Sequence, residues 1–275
     1  MIDFLKESTF AVNEVMSKAW QVTKRNYFSI ATLCFLMFLT SNASNMMAFF
    51  LNNVSRGLSI LMATLFIILY FTISLSLFRY IFHLLDDEEH DVSIVSTIPT
   101  RQQIIRFLIA TFYFSLCIVV VGIIFYPILL ILDPLLKLIV RIGWVNDFSA
   151  AGVIITNICV GMAIVAIFIT FVRISFFPFF IIDKNETPFR SIKFSLAITK
   201  GNFTKILLLL LVLGGFQVIY WFLGYIQWPV IAFFVNILSS FIIVPLSIVA
   251  LTIAYRKMMT EYTGDNEPDI IHNLI

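Results

Sequence analysis

The stretch Ile206–Tyr255 has the sequence ILLLLLVLGGFQVIYWFLGYIQWPVIAFFVNILSSFIIVPLSIVALTIAY and contains no Asp, Glu, Lys or Arg. A bilayer core about 30 Å thick is crossed by roughly 20 apolar residues, because a helix rises about 1.5 Å per residue. The stretch has about twice that length, and Gly224–Pro229 interrupts it with residues that favour a turn. It therefore predicts two membrane-spanning helices joined by a tight connection.

Four further stretches also lack these charged residues and are filled by apolar ones: Tyr27–Ser55, Gly57–Phe78, Phe107–Leu132 and Phe148–Val172. Hydrophobic residues make up 60% of the chain and charged residues only 12%, against about 25% charged residues in soluble domains. The pattern predicts an all-α polytopic membrane helical bundle with six transmembrane helices, arranged as three hairpins. We expect a single integral membrane domain over residues 1–275, with hairpin units near 1–85, 86–185 and 186–260 and a short polar tail at 261–275.

The distribution of positive charge predicts the orientation of these spans. If the spans alternate in direction, only Arg56, Lys137 and Arg141 of the 18 Lys and Arg residues fall on one side. Positive residues resist translocation, so the side that holds the others is cytoplasmic. We therefore expect a multi-pass protein of the cytoplasmic (inner) membrane with both termini in the cytoplasm, which agrees with an even number of spans.

A short pattern recurs along the chain and indicates a threefold repeat of helix, span, turn and span. A threonine, a basic residue and an amide precede each odd-numbered span, in the sets Thr23, Lys24 and Asn26, then Thr100, Arg101 and Gln102, then Thr199, Lys200 and Asn202. Each even-numbered span ends near an arginine: Arg79, Arg173 and Arg256. The alternative is that cytoplasmic helix ends gather basic residues without any repeat.

Two of the three units open with a predicted cytoplasmic amphipathic helix. In the first, apolar residues between Phe4 and Trp20 recur every three or four positions. In the third, Thr187 can cap a helix that Pro188 starts and Gly201 ends. Such helices either lie along the headgroups with Lys and Arg toward anionic lipid, or pad the cytoplasmic floor of the bundle. The sequence leaves both interpretations open.

The second and fourth spans continue past their arginines as apolar tails, Tyr80–Leu85 and Ile174–Ile182. We expect the arginines to snorkel to the membrane boundary, because a charge at mid-bilayer is costly. The tails should then lie below the membrane as aromatic floor elements, and Pro178 should bend the fourth span away from a straight path.

Other prolines predict irregularities within the bundle. Pro127 and Pro245 should kink the third and sixth spans, since proline lacks the N–H that the helix needs. The segment Pro134–Val145 mixes apolar residues with Lys137 and Arg141. It predicts a short separate helix on the outer interface.

The spans offer little for catalysis. Their centres contain no ionisable residue, and all three histidines lie in predicted cytoplasmic segments, whereas membrane enzymes and ion-coupled transporters normally place ionisable groups toward the interior. No zinc-protease, phosphate-loop or catalytic-triad pattern is present, and the three cysteines lie singly in separate spans without metal-ligand spacing. We therefore expect no enzyme, and no catalytic, cofactor-binding or metal site.

Amides are the remaining deep polar groups. Asn157, Gln217 and Asn236 lie within spans four, five and six and are the candidate polar residues of the bundle interior. They would act as packing glue through interhelical hydrogen bonds of about 0.6–2 kcal/mol each, or as the lining for a small neutral ligand. The acidic run Asp86–Asp91 is either a solvated helix end or a site for a divalent cation or a basic partner.

One segment carries a family resemblance. Arg173-Ile-Ser-Phe-Phe-Pro-Phe-Phe-Ile-Ile-Asp183 is followed by Pro188, Ser195 and Thr199-Lys200-Gly201-Asn202-Phe203. It resembles a signature of bacterial six-helix membrane proteins of the YciC-like family and of the membrane domain in some glycerophosphoryl diester phosphodiesterases. The resemblance implies a bacterial cytoplasmic-membrane protein of the envelope. It does not imply phosphodiesterase activity, because the soluble domain that some members carry has no counterpart in these 275 residues.

The sequence thus favours a non-enzymatic membrane protein that organises lipids or protein partners. Its expected partners are anionic lipid headgroups at the cytoplasmic face and a membrane protein, without nucleic acid. A permease or channel-like subunit for a neutral or lipid-like molecule is the alternative, and a lipid-modifying enzyme lacks any nameable nucleophile. The candidate residues at the cytoplasmic boundary are the basic and motif positions Lys24, Arg79, Arg101, Arg173, Asp183, Lys200, Asn202 and Arg256.

Overall fold

The computed structural model describes residues 10–52, 55–86, 94–141, 148–260 and 262. Within these ranges the regular structure is helical, without a strand. In chain order the elements are α1 (Val12–Arg25), α2 (Tyr27–Asn52), α3 (Arg56–Asp86), a 3₁₀ turn (Ile94–Thr97), α4 (Arg101–Arg141), α5 (Phe148–Ile174), α6 (Phe177–Asp183), α7 (Pro188–Thr199), α8 (Phe203–Tyr225), α9 (Pro229–Leu238), a π-helical segment (Ser239–Ile243) and α10 (Val244–Thr260).

Within the described residues, six helical segments are long and apolar enough to cross a bilayer: Tyr27–Leu51, Arg56–Asp86, Arg101–Ile124, Asn157–Asp183, Phe203–Tyr225 and Pro229–Thr260. Each exceeds the roughly 20 residues that a bilayer requires. The chain is therefore a multi-pass integral membrane protein, and the predicted all-α bundle of six spans is confirmed.

Consecutive spans pair as three hairpins, α2 with α3, α4 with α5, and α8 with α9. The third connection is tight: Gln227 has a φ of 58°, and the amides of Gln227 and Trp228 donate to the carbonyls of Gly224 and Leu223 at 3.1 and 3.0 Å. Pro229 then begins α9, where its missing N–H costs nothing. This connection lies where the sequence predicts it.

The third span differs from the prediction. Helix α4 runs without interruption from Arg101 to Arg141, so the separate outer helix expected to begin at Pro134 is a continuation of the span. A proline removes one backbone hydrogen bond, but the flanking apolar residues keep theirs and the helix propagates. At about 1.5 Å per residue the helix is roughly 60 Å long, about twice the thickness of a bilayer core. The last part of the predicted outer helix lies outside the described residues.

The tails of the even-numbered spans also behave differently from one another. Helix α3 continues without a break through Tyr80–Leu85, whereas the fourth span breaks at Ser175 and Phe176, ahead of Pro178. Pro178 lies in the first turn of α6, which tolerates proline because that N–H has no partner inside the helix. The aromatic side chains of α6 are buried within the main core instead of forming a separate floor.

The core lies at one end of the molecule. We call the end where Lys24, Arg79, Arg101, Arg173 and Arg256 lie the basic end. The largest fully buried side chains cluster there and include those of Tyr255, Phe176, Phe179, Phe180, Leu75 and Ile81. Toward the opposite end the spans expose large apolar side chains, among them those of Phe49, Leu61, Ile123, Trp221 and Phe234. The three hairpins are thus held together mainly at the basic end, and lipid can cover the apolar surface elsewhere.

The first and third units share the same helix junction. Asn26 follows α1 and donates its side-chain amide to the carbonyl of Val22 at 3.2 Å, while Asn202 follows α7 and donates to Ile198 at 3.4 Å. In both units the threonine three residues earlier is buried. In each unit the backbone carbonyl of this asparagine also accepts a hydrogen bond from a backbone amide in the first turn of the next span. These matching contacts support the repeat between the first and third units.

The units also contact one another in a cyclic order. Helix α1 packs on α10, the 3₁₀ turn packs on α3, and α7 packs on α5 and α6. Arg79 donates to the carbonyl of Ile98 at 3.1 Å and Arg173 to that of Leu196 at 3.4 Å. Each of these arginines therefore fixes the backbone just before the threonine of the following unit.

The middle unit starts differently from the other two. Thr100 and Gln103 form a capping box at the start of α4: the amide of Thr100 donates to the Gln103 side chain at 3.0 Å, and the amide of Gln103 donates to the Thr100 hydroxyl at 3.3 Å. The Thr-x-x-Gln spacing is visible in the sequence and could have predicted this helix start.

Candidate functional site

A buried hydrogen-bond network, which we call the turn knot, joins the end of the fourth span to α7. The Ser195 hydroxyl donates to the carbonyl of Arg173 at 2.8 Å and accepts from the amide of Phe176 at 3.1 Å. The Thr199 hydroxyl lies 3.2 Å from the same Arg173 carbonyl. The break between α5 and α6 frees these backbone groups, and burial without partners would be costly. The two hydroxyls of α7 therefore fix this turn.

The three hairpins meet at a polar cluster in the basic end. The Tyr255 hydroxyl donates to Asp183 Oδ2 at 3.0 Å, and the Arg256 guanidinium lies 3.7 Å from Asp183 and 2.7 Å from Asp86. Asp86 ends α3, the second helix of the first hairpin, Asp183 ends α6 after the second hairpin, and Arg256 lies near the end of the third, so the boundary between the first two units falls one residue later than predicted. The cluster thus links all three repeats through one charged side chain from each.

An aromatic cage encloses this cluster from the apolar side. The Tyr255 ring stacks on Phe179 with centroids 5.3 Å apart and meets Phe82 and Phe180 edge-on. The Arg256 guanidinium carbon lies 4.9 Å from the Phe82 ring centroid, within cation–π range. Asp183 and Arg256 are recognisable in the sequence, whereas no local pattern distinguishes Tyr255 and Phe82 from other apolar span residues.

Helix α1 is fastened to the last helix by an exposed ion pair between Glu14 and Lys257, 2.8 Å apart. The hydrogen bond and the charge of Lys257 lower the pKa of the Glu14 carboxyl from its ordinary value of 4.5. Because the pKa is lowered in the folded protein, the ion pair stabilises the docking of α1 above about pH 4.5. This stabilisation is lost as the pH falls through the lowered pKa. Val15 and Ala19 on the same helix are buried, whereas Trp20 is exposed, so only part of the predicted apolar face packs on the bundle.

The remaining boundary residues have separate surroundings. Lys24, Arg101 and Lys200 have exposed side chains. Asn202 is buried and holds the junction before α8. The boundary positions therefore do not form one site; instead Arg173 belongs to the turn knot, and Asp183 and Arg256 belong to the polar cluster.

The three predicted interior amides are not brought together. Asn157 and Gln217 have exposed side chains, so neither lines a bundle interior in this structure. Asn236 is half-buried and lines a groove of about 300 Å³. We call this the polar groove; its other lining residues are Cys34, Met37, Phe38, Ser41, Asn42, Tyr70, Ser240 and Val244.

A larger opening lies between the two helices of the second hairpin. It has a volume of about 670 Å³, and we call it the apolar groove because most of its lining is apolar. The residues that line it are Tyr113, Leu116, Cys117, Val120, Val121, Ile169, Thr170, Arg173, Ile174, Phe189, Ile192 and Leu196. Helices α4 and α5 form its walls and α7 closes it toward the basic end. The size lies within the range of about 300–1,000 Å³ that ligand sites occupy.

Cations lie where α7 closes the apolar groove. Arg173 lines the groove and is half-buried. The Lys193 ammonium lies 5.2 Å from the ring centroid of Phe189, which also lines it. The nearby Arg190 pairs with Glu186 at 3.7 Å. The groove therefore has an apolar length within the span and a positively charged end.

Among the described residues, no three His, Cys, Asp or Glu side chains lie close enough to hold a metal ion. The three cysteines are free thiols. Only Asp86 of the predicted acidic run is described, and it pairs with Arg256; the rest of the run lies outside the described residues.

Comparison of the chain with protein-family models, with curated proteins and with solved structures gives no match. The resemblance to the YciC-like family therefore stays a prediction that depends on residues 173–203 alone.

Proposed function

We propose that this chain is a non-enzymatic integral membrane protein of the bacterial inner membrane that organises lipids or protein partners at its cytoplasmic face, with both termini in the cytoplasm. The observation that carries the proposal is the apolar groove, which is open within the second hairpin and closed by α7 at the basic end, with Arg173 in its lining and the Lys193 ammonium beside the lining ring of Phe189. A groove at the depth of a span is in contact with lipid, so lipid is its most accessible ligand.

The position of the core supports the same proposal. The hairpins pack mainly at the basic end and expose apolar surface along much of their length. Such surface is covered by lipid or by another membrane protein. The polar groups that the bundle does assemble, Asp183, Tyr255 and Arg256, are occupied with one another, which suits a structural role.

Native mass spectrometry of the purified full-length protein tests this proposal. We expect the protein to retain phospholipid after gentle purification in detergent, seen as adducts of phospholipid mass that persist when detergent is removed by collision. The proposal fails if the folded protein is recovered free of lipid and of any co-purifying membrane protein.

The polar groove favours a second candidate, a permease for a small neutral or lipid-like molecule. Ser240 lies within the π-helical segment and Asn236 lies in α9 just before it, and Ser41 and Asn42 line the same groove. π-Helical segments occur frequently at functional sites. Together they provide hydrogen-bonding groups within an apolar bundle.

Thiol accessibility separates the two candidates. In a chain whose own cysteines are replaced, Asn236→Cys reacts with a water-soluble thiol reagent if the polar groove carries solute across the membrane. The control is Val218→Cys, because Val218 is 63% exposed on the apolar surface of α8 and should stay protected by lipid. Equal protection at both positions counts against the permease and favours the lipid-organising role.

A further inference from the structure

We infer that the apolar groove binds one acyl chain of an anionic glycerophospholipid, whose phosphate lies against Arg173 and Lys193. The inference rests on the proposed function and assigns it a site and a class of lipid. Three features support it: the shape of the groove, the nature of its walls and the position of its charges.

The walls fit an extended hydrocarbon chain. From Tyr113 to Val121 the groove follows α4 for about 12 Å, at a rise of about 1.5 Å per residue. Leu116 and Val120 on this wall face Ile169 on the other helix. A polar solute would leave its hydrogen-bonding groups without partners on these surfaces, whereas an alkyl chain requires none.

The closed end fits a phosphate. Arg173 offers a planar group with several N–H donors, and Lys193 offers a compact charge, both of which are common phosphate ligands. The nearby carboxylate of Glu186 is paired with Arg190 at 3.7 Å, and Glu186 is not among the residues that line the groove. The end of the groove therefore carries positive charge without a carboxylate among its lining residues.

The charges rather than the walls should decide which lipid binds. An acyl chain that moves from bulk lipid into the groove exchanges one apolar surrounding for another, so hydrophobic burial adds little. A negatively charged headgroup near a Lys or Arg is favoured over a zwitterionic one by about fivefold per cation. We therefore expect a preference for phosphatidylglycerol over phosphatidylcholine.

A matched pair of valines tests the chain site. Val120 lines the groove and its neighbour Val119 does not; their exposed fractions are similar, 46% and 54%. Val120→Trp should fill the groove and remove the strongly held lipid, whereas Val119→Trp adds the same bulk on the outer surface and should retain it. The measurement is native mass spectrometry of each full-length variant after incubation with phosphatidylglycerol.

A matched pair of lysines tests the headgroup. Lys193→Gln should lower the bound phosphatidylglycerol about fivefold and leave bound phosphatidylcholine unchanged. Lys18→Gln removes an equal charge from the exposed face of α1 and should change neither. These variants avoid Arg173, whose backbone belongs to the turn knot.

The outcomes separate the inference from the proposed function. Wild-type protein that binds no lipid overturns the inference, and it overturns the proposed function as well if no membrane protein co-purifies. Wild-type protein that binds lipid equally well in Val120→Trp keeps the proposed function and overturns the groove as its site. Loss in Val120→Trp without any effect of Lys193→Gln on the preference between the two lipids overturns the headgroup assignment.

Discussion

Ser191 and Ser195 are two fully buried serines on the same face of α7 whose hydroxyls make different bonds. The Ser191 hydroxyl donates to the carbonyl of Pro188, one turn back in its own helix, at 2.7 Å. The Ser195 hydroxyl bonds to two backbone groups of another element, the amide of Phe176 and the carbonyl of Arg173. Only the second serine therefore holds the turn that separates α5 from α6.

We predict that Ser195→Ala destabilises the protein by about 1–3 kcal/mol, because the buried amide of Phe176 loses its partner. Ser191→Ala should cost less, about 0.5–1.5 kcal/mol, because the Ser191 hydroxyl only donates to the Pro188 carbonyl of its own helix. Thermal unfolding in detergent measures both, followed by the reactivity of the buried thiol of Cys34.

A double variant sharpens this comparison. The Thr199 hydroxyl has a single hydrogen and lies 2.8 Å from the Ser195 carbonyl and 3.2 Å from the Arg173 carbonyl, so it can turn to the Arg173 carbonyl when the Ser195 hydroxyl is removed. Ser195→Ala combined with Thr199→Val should therefore cost more than the sum of the two single changes. Equal losses for Ser191→Ala and Ser195→Ala would contradict this account of the turn.

Residue by residue, the sequence groups the boundary arginines and Asp183 at one end of the spans, as the structure also has them, but it does not show which way the amides face. The reason lies in the spans themselves. Helix α8 is apolar on nearly all sides, so its sequence shows how deep Gln217 lies but not which side of the helix faces the bundle. Charged residues, in contrast, are confined to the helix ends because a charge at mid-bilayer is costly. Their position along the span is therefore enough to predict where they lie.

At the level of the elements, the last span shows how a proline is accommodated. The carbonyl of Phe241 would accept from the amide four residues on, but that residue is Pro245 and has no N–H. The chain forms a π-helical segment just before the proline, and the Tyr27 hydroxyl donates to the Phe241 carbonyl at 3.2 Å. The irregular turn therefore joins the first span to the sixth.

We predict that the contributions of Tyr27 and Pro245 depend on each other. Tyr27→Phe should lower stability by about 0.5–1.5 kcal/mol in the native sequence. In a Pro245→Ala background the restored amide can donate to Phe241, so Tyr27→Phe should cost clearly less there. A double-mutant cycle on thermal stability measures this coupling; the same cost in both backgrounds would show that the hydroxyl does not replace the missing amide.

Other elements show where sequence patterns fail. Six spans and the last connection could be predicted because apolar length and turn residues are local signals. The extent of α4 could not, because Pro134 weakens a helix without deciding whether it stops. Pro178 predicts a bend in the fourth span, but not that the break falls at Ser175 and Phe176, since its position depends on hydroxyls of α7 that come about 20 residues later.

Over the whole molecule, the basic end is where the three hairpins meet, where the core lies and where the apolar groove closes. Asp86, Asp183 and Arg256 bring the three units to one cluster, and the cyclic packing of α1, the 3₁₀ turn and α7 continues the same arrangement. Hydrophobic pattern alone cannot predict this convergence, because contacts between units join residues far apart in the chain, such as Asp86 and Arg256.

The orientation of this molecule in the membrane is the remaining prediction at this scale. Positive residues are retained in the cytoplasm, and if the spans alternate in direction, the sequence assigns only Arg56, Lys137 and Arg141 of its 18 Lys and Arg residues to the side opposite the basic end. We therefore expect the basic end to face the cytoplasm. This orientation can be tested at three exposed residues: Lys24 at the basic end, and Ser55 and Gln227 at the opposite end.

In a chain with Cys34, Cys117 and Cys159 replaced, a membrane-impermeant thiol reagent should label Ser55→Cys and Gln227→Cys in cells whose inner membrane is intact. Lys24→Cys should be labelled only after that membrane is permeabilised. Labelling of Lys24→Cys alone before permeabilisation would reverse the orientation and place the cationic end of the apolar groove outside the cytoplasm. Ser55 lies in the connection of the first hairpin and Gln227 in that of the third. Agreement between Ser55→Cys and Gln227→Cys therefore also tests whether these two hairpins cross the membrane in the same direction.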